Sequence, residues 1–255
     1  MSDKNPSDSS TQQDMPLVEH LLELRDRLLK IVLTVGLIFL ALFSFANKLF
    51  YILSEPLQSL LPEGSSMVAI DVASPFLTPF KLTMVLSIFL AIPVILYHVW
   101  AFIAPGLYKH EKVLVFPLLI SSTLLFYLGI TFCYFVVFPL LFGFMSSVTP
   151  EGVTMMTDIS RYLDFVLKMF FAFGIAFEVP IATILLVWIG IVTPESLREK
   201  RPYIIVGAFF IGMLMTPPDL ISQTLLALPV WLLFEVGLFF STLIENKKKS
   251  MPEEE

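Results

Sequence analysis

The chain has 255 residues, of which 56% are apolar and only 15% carry a charge. This composition excludes a water-soluble enzyme or binding domain and indicates a polytopic membrane protein. Much of the formal net charge of −6 comes from polar termini such as Glu253, Glu254 and Glu255. The acidic balance therefore does not point to a cationic partner, and no nucleic-acid partner is expected.

The N-terminal segment is predicted to pass from disorder into a helix. Residues 1–15 are rich in Ser, Asp and Gln, which leaves little to bury, and predict a disordered arm. Pro16–Leu29 reads PLVEHLLELRDRLL and predicts a helix with an apolar stripe that can lie on membrane or bundle. No cleavable signal peptide is expected, because the first apolar block begins near Leu28 and lacks a small-residue cleavage site.

Six apolar blocks predict six transmembrane helices in a single all-α domain, residues 16–243, followed by a charged tail, residues 244–255. The predicted spans are Leu28–Ala46, Pro79–Ala104, Leu114–Phe142, Phe165–Ile191, Tyr203–Met215 and Leu220–Leu243. The fifth and sixth helices are expected to be short, since the fifth block reaches only ~20 Å. The fifth and sixth helices either form a hairpin that thins the bilayer or are shielded by the bundle without fully spanning.

The distribution of basic residues predicts the orientation of these spans. If the N-terminus is inside, twelve of the sixteen Lys and Arg residues fall in inner segments. The remaining four are Lys48, Lys81, Arg161 and Lys168. The positive-inside rule therefore predicts that both termini are cytoplasmic.

Two long outer segments and several prolines are expected to shape the bundle. Asn47–Thr78 contains an apolar stretch, Leu49–Leu61, that predicts an interfacial helix, and Gly143–Asp164 resembles a second cap. Prolines fall inside the bundle at Pro93, Pro117, Pro139, Pro180 and Pro229. They favour kinked helices and a concave assembly, although membrane helices also carry proline without such a role.

Two acidic side chains are candidates for a site on the inner face. Glu23 precedes Arg27 by four residues, and a simple exposed ion pair worth ~0.3–0.5 kcal/mol is the structural alternative. Glu111 lies between His110 and Lys112, where local neutralisation is the structural alternative. If Glu23 and Glu111 meet, they form a two-carboxylate site suited to guanidinium groups, each of which binds a carboxylate through two parallel hydrogen bonds.

A third candidate, Glu178, lies in the middle of the predicted fourth span. An ionised group there costs ~2.5–3.5 kcal/mol unless it faces protein or water, so a functional role is the default interpretation. The alternative is a carboxyl group that hydrogen-bonds a neighbouring helix. Thr216, Asp219 and Gln223 form a further polar group at the turn between the fifth and sixth spans.

Missing motifs make an enzyme the weakest interpretation. The chain has no GxxxxGK[ST] phosphate loop, no HExxH pair and no GxSxG elbow, and its single cysteine, Cys133, cannot form an intrachain disulfide. No metal or cofactor is therefore expected. An ion-coupled solute transporter with Glu178 as proton carrier is the main alternative, although the two halves show no clear similarity.

Six segments of the sequence can be compared with known families. The first is His20–Leu28, reading HLLELRDRL, and five further blocks follow it along the chain: DVASPFLTPFKL (Asp71–Leu82), VWAFIAPGLYKHEK (Val99–Lys112), FAFGIAFEVP (Phe171–Pro180), KRPY (Lys200–Tyr203) and MLMTPPDLISQTLLALP (Met213–Pro229). The first segment resembles the N-terminal signature of TatC, the twin-arginine protein translocase family, and the other five resemble TatC blocks in TatC order. The resemblance covers roughly Pro16 to Phe240, nearly the whole predicted fold.

The resemblance implies a receptor for twin-arginine signal peptides in the bacterial inner membrane. Glu23 and Glu111 would hold the arginine pair at the cytoplasmic face, and Arg25, Phe102 and Pro105 would shape the same surface. The signal's apolar part would then insert along the bundle.

The resemblance also implies partners and an energy source. Pro56 would be needed for activity, and Glu178, Met213, Thr216 and Gln223 would lie where the family docks the single-helix proteins TatB and TatA. The family moves folded cargo with the proton-motive force, which agrees with the missing nucleotide motif. Self-association into a larger complex within membrane lipid is expected.

Overall fold

The computed structural model describes residues 11–58, 66–103, 115–150, 156–215 and 220–250. Within these ranges, side chains are not described at 11–17, 56–58, 66, 103, 115, 215, 221–222 and 247–250.

The described residues are almost entirely helical, and the all-α prediction is confirmed. In chain order the elements are α1 Thr11–Phe43, α2 Ala46–Gln58, β1 Ser66–Val68, α3 Ser74–Leu90, α4 Ile92–Ile103, α5 Val115–Phe132, a π turn Cys133–Val137, α6 Phe138–Ser147, β2 Met156–Asp158, α7 Ile159–Ala176, α8 Val179–Trp188, α9 Pro194–Glu199, α10 Arg201–Met215 and α11 Leu220–Ser250.

Each predicted span corresponds to a helical segment. Three stretches are long and apolar enough to cross a bilayer as they stand: Phe116–Ser147, Ile159–Trp188 and Gln223–Asn246. Two more are helix pairs bent at a short break, α1 with α2 by 86° and α3 with α4 by 48°. The sixth, α10, is a shorter apolar helix.

Helix α1 joins the predicted amphipathic helix and the first span into one 33-residue helix. It begins at Thr11, so residues 11–15, which the sequence assigns to the disordered arm, are helical. At its other end the chain turns by 86° into α2, which therefore crosses the direction of α1 as expected for an interfacial helix. The leucine stripe on the first turns faces away from the described bundle, since Leu21 is 65% exposed.

The lengths of the last two helices differ from each other. Helix α10 has 15 residues and is ~22 Å long, shorter than the ~30 Å of hydrocarbon, as predicted. The prediction of a short sixth helix is wrong, because α11 has 31 residues and continues to Ser250. Residues 244–250 of the predicted tail are thus helical, and cations near a helix C-terminus favour this extension.

Three of the five bundle prolines coincide with breaks in a helix. Helix α4 starts one residue before Pro93, α8 starts one residue before Pro180, and the π turn ends two residues before Pro139. Proline lacks the amide donor and crowds the preceding turn, which explains these positions. Pro229 instead lies inside α11 without interrupting it.

The core lies around α7 and is rich in phenylalanine. Phe138 and Phe173 are fully buried, and Phe170 contacts Phe138 with ring centroids 5.3 Å apart. Helices α5 and α7 approach closely because one residue on α5 is glycine. A Cβ added at Gly129 would lie 2.5 Å from the carbonyl oxygen of Phe173, so the core depends on this small residue.

Two short strands join the predicted outer segments. β1 and β2 pair in parallel, with Ser66 opposite Met156 and Val68 opposite Asp158. Next to them, the hydroxyl of Ser160 lies 3.1 Å from the Ser74 hydroxyl and 2.9 Å from that of Thr78. The starts of α3 and α7 are therefore side by side.

Candidate functional site

Glu23 lies on α1 and is held by an ion pair one turn away. Arg27 Nε donates to Glu23 Oε1 at 3.0 Å, and Arg27 Nη2 donates to the same oxygen. Arg27 is the more buried partner, with a side chain 20% exposed against 36% for Glu23. The i, i+4 pair anticipated from spacing is therefore present, and it fixes the position of the Glu23 carboxylate.

The same arginine connects α1 to the end of α4. Arg27 Nη2 donates to the carbonyl oxygen of Ala101 at 3.2 Å. Ala101 is close to the C-terminus of α4, where carbonyls lack partners within the helix. Arg27 is thus more than a surface ion pair, since it also satisfies a carbonyl on a second helix.

A stacked pair of rings forms a second contact between these helices. The rings of His20 and Phe102 have centroids 4.1 Å apart and an interplanar angle of 16°. His20 Nδ1 also lies 3.8 Å from Glu23 Oε2. The structure therefore brings Glu23 and Phe102 to the same place, with His20 between them.

The second oxygen of Glu23 is the part of this site available to a ligand. Oε2 accepts no hydrogen bond from the described residues, and the side chain is more than one-third exposed. A partly exposed carboxylate fixed by a largely buried arginine can accept hydrogen bonds from a further cation. The described residues contain no cluster of His, Cys, Asp and Glu that could hold a metal ion.

Arg25 does not join this group. Its Nη2 atom lies 2.8 Å from Asp26 Oδ1, and both side chains are largely exposed. Successive helical residues are ~100° apart, so Arg25 and Glu23 project in nearly opposite directions. The prediction that Arg25 shapes the same surface is not supported by direct contact.

Three predicted site residues, Glu111, Pro105 and Thr216, lie outside the described residues. A fourth, Pro56, lies on α2, but its side chain is not among those described. The meeting of Glu23 with Glu111 therefore stays a prediction.

Glu178 lies at the break between α7 and α8, facing α5. The hydroxyl of Ser122 donates to Glu178 Oε2 at 2.6 Å. Glu178 Oε1 is buried and has no hydrogen-bond partner among the described residues. The interhelical hydrogen bond anticipated as the structural role of Glu178 is thus present, and one oxygen is left unsatisfied.

Met213 and Gln223 lie where α10 approaches α11. A Cβ added at Gly212 would be 3.5 Å from the carbonyl oxygen of Gln223 and 3.9 Å from its Cβ. Met213, the next residue, is 48% exposed. Gln223 is therefore part of the α10–α11 contact, whereas Met213 presents its side chain on the outside of the pair.

Comparison with known proteins identifies the family. A family model described as Sec-independent protein translocase protein (TatC) matches residues 19–229. The chain belongs to the TatC family. It is 63% identical over 239 residues to TatC of Azotobacter chroococcum mcd 1, with 94% of each chain covered. Its identity to TatC of Escherichia coli K12 is 58% over 244 residues, covering 96% of this chain and 95% of that protein.

A solved structure agrees with this assignment. The crystal structure of TatC described as the twin-arginine translocase receptor matches with a TM-score of 0.79 at 39% identity, covering 89% of this chain and 99% of that one. TatC is a six-span membrane protein and a subunit of the Sec-independent translocase. The chain is accordingly a multi-pass membrane transport component and not an enzyme, and a solute-transporter function is not supported.

Several polar contacts of this TatC-family chain could not be recognised as contacts from the sequence pattern alone. In the sequence, His20 is noted only as part of a motif. Its position three residues before Glu23 could have identified it, because that spacing places both residues on one face of a helix. For Arg27, the sequence pattern indicates only the local ion pair with Glu23. Glu235 was not predicted to matter, yet its Oε2 atom lies 2.6 Å from Arg201 Nη2 and links α10 to α11. The sequence feature that could have identified Glu235 is the position of a charged residue within the last apolar block.

Proposed function

We propose that this chain is the signal-peptide receptor of the twin-arginine translocase, with both termini on the cytoplasmic side of a bacterial inner membrane. Glu23 and Glu111 bind the two arginines of the signal. The observation that carries this proposal is that Glu23 already binds a guanidinium group, that of Arg27.

The geometry around Glu23 supports binding of a second guanidinium. Arg27 occupies Oε1 and leaves Oε2 exposed beside His20. An incoming arginine can donate to Oε2 while Arg27 keeps the carboxylate in place. Because such a contact is charge-assisted and partly exposed, the affinity should fall as salt increases.

Chain length allows Glu111 to contribute to the same site. It comes eight residues after the end of α4, and a chain of that length reaches at most ~29 Å. Glu23 is tied to this end of α4 through Arg27 and Ala101. This chain length is compatible with our proposal that both carboxylates contact one signal peptide.

The test is photo-crosslinking of a twin-arginine signal peptide to membranes that contain this protein. Wild type is compared with Glu23→Ala and Glu111→Ala, and a twin-lysine peptide is the ligand control. Asp26→Ala is the matched protein control, because Asp26 is an exposed carboxylate on the same helix that pairs with Arg25. Correct insertion of each variant is verified in the same membranes.

Loss of crosslinks in the Glu23 and Glu111 variants and with twin-lysine, but not in the Asp26 variant, supports the proposal. Undiminished crosslinking in both variants places recognition elsewhere. Equal loss with Asp26→Ala indicates a general charge effect, and binding that does not change from low to high salt contradicts the carboxylate clamp.

The translocase partners TatB and TatA are proposed to dock along α10 and α11, near Met213, Thr216, Gln223 and Glu178. Met213 is exposed beside the α10–α11 contact, which leaves it accessible to a single-helix partner. Docked signal peptide recruits further TatA, and folded cargo crosses with the proton-motive force. Pro56 is proposed to support this activity from α2, and the receptor self-associates within the complex.

Disulfide crosslinking tests this docking face. The chain has one cysteine, so Cys133→Ala gives a cysteine-free background. Met213→Cys is compared with Ile211→Cys, which is similarly exposed, at 46% against 48%, but lies on the other side of α10. Crosslinks to a cysteine-bearing TatB or TatA helix from position 213 but not 211 are expected, and the reverse preference would reject this face.

A further inference from the structure

A pocket of about 230 Å³ opens on the surface between α3 and α7, away from the proposed receptor site. Its charged groups are Lys81, Asp164 and Lys168. Its apolar lining is formed by Val85, Leu167 and Phe171. The pocket thus combines charged side chains with an apolar lining on the surface of two apolar helices.

The charges in this pocket do not balance. The ammonium group of Lys81 is paired with Asp164 Oδ1. Lys168 lies one helical turn after Asp164 and has no ion-pair partner among the described residues. The described lining therefore contains two cations but only one carboxylate, which gives it a net charge of about +1.

Both lysines lie within helices assigned to membrane spans. Measured from the start of each helix beside the β1–β2 pair, Lys81 is ~10 Å along α3 and Lys168 is ~14 Å along α7. An unpaired ammonium at this position is costly unless it meets an anion or extends to the headgroups. Lysine side chains are long enough to extend toward the headgroup layer while their methylene stems cover apolar surface.

We propose that this pocket binds the phosphate group of an anionic phospholipid. Lys168 and Lys81 donate to the phosphate oxygens, and an acyl chain packs on Val85 and Phe171. A cation is excluded by the two ammonium groups, and a zwitterionic lipid leaves the excess charge uncompensated. The apolar wall continuing along both helices favours a lipid over a soluble anion.

The test uses the purified full chain in vesicles of phosphatidylcholine with a minor fraction of phosphatidylglycerol. Two photoactivatable lipid probes with the same acyl chain are compared, one with each headgroup, and labelled peptides are mapped by mass spectrometry. Preferential labelling of α3 and α7 by the phosphatidylglycerol probe is expected. Because one lysine near an anionic headgroup contributes on the order of fivefold in binding, Lys168→Gln should lower the preference by about that factor.

Two further variants keep the test specific. Lys168→Arg retains the charge and should retain the preference. Lys48→Gln removes an exposed lysine on α2 and should leave labelling of α3 and α7 unchanged. The proposal is overturned if both probes label these helices equally, or if Lys48→Gln causes the same loss as Lys168→Gln.

Discussion

The hydroxyl of Tyr127 donates a hydrogen bond of 3.0 Å to the carbonyl oxygen of Phe89. Phe89 precedes Pro93 by four residues, so its carbonyl faces the position where a helical amide donor is missing. A side chain on α5 therefore replaces the backbone donor that proline removes at the α3–α4 bend. Phe89 itself is 3% exposed, so water does not readily take that place.

Tyr127→Phe should destabilise the fold by about 1–3 kcal/mol, because the buried Phe89 carbonyl loses its side-chain donor while the ring remains. The midpoint of thermal unfolding in detergent measures this loss. Tyr97→Phe is the control, since Tyr97 is 54% exposed on α4 and its hydroxyl makes no hydrogen bond with the described residues. Equal midpoints for the two variants would show that the Phe89 carbonyl does not depend on Tyr127.

Gly129→Ala should be destabilising by about 1–3 kcal/mol, because the new methyl group would overlap the Phe173 carbonyl and force α5 and α7 apart. Gly36→Ala is the matched control on α1, where nothing among the described residues lies within 4 Å of an added Cβ. The yield of folded, monodisperse protein and the unfolding midpoint report the difference. A Gly129 variant as stable as the Gly36 variant would mean that the two helices do not pack closely at this glycine.

Ser122→Ala should cost about 1–3 kcal/mol, since it leaves Glu178 without its interhelical hydrogen bond. Ser241→Ala is the comparison, because Ser241 is equally buried but, within the part of the chain that the structure describes, bonds only to the Gly237 carbonyl in its own helix. The unfolding midpoint of the Ser122 variant should be the lower of the two. If both variants melt together, the Glu178 contact adds nothing to the stability of the bundle.

Reversing the ion pair between α10 and α11 provides a fourth test. Arg201→Glu or Glu235→Arg alone should lower stability and export activity, because each places like charges in a half-buried contact. The double exchange should recover about 0.5–3 kcal/mol of coupling energy. Additive losses in the double variant would show that the two side chains act independently.

Features that depend on local pattern could be predicted from the sequence. Apolar blocks located the spans, proline positions located the breaks near Pro93 and Pro180, and spacing located the Glu23–Arg27 pair. An interhelical hydrogen bond of Glu178 was anticipated, but Ser122 as its partner and the contact of Arg27 with Ala101 could not be predicted, since each depends on how distant helices pack. The length of α11 was also missed, because the end of an apolar block does not require the end of a helix.

The pairing of β1 with β2 has a consequence for how the protein enters the membrane. Strands that are hydrogen-bonded must lie on the same side of the bilayer, so the segment between Val68 and Met156 crosses it an even number of times. That segment contains the α3–α4 pair and the helix running from α5 to α6, which are two crossings. β1 must therefore wait, unpaired, until both crossings are complete and the chain has returned. Closing so long a loop is slow compared with forming a helix, so we expect the β1–β2 sheet to form late in folding. The sheet can form only after both intervening segments have crossed the bilayer.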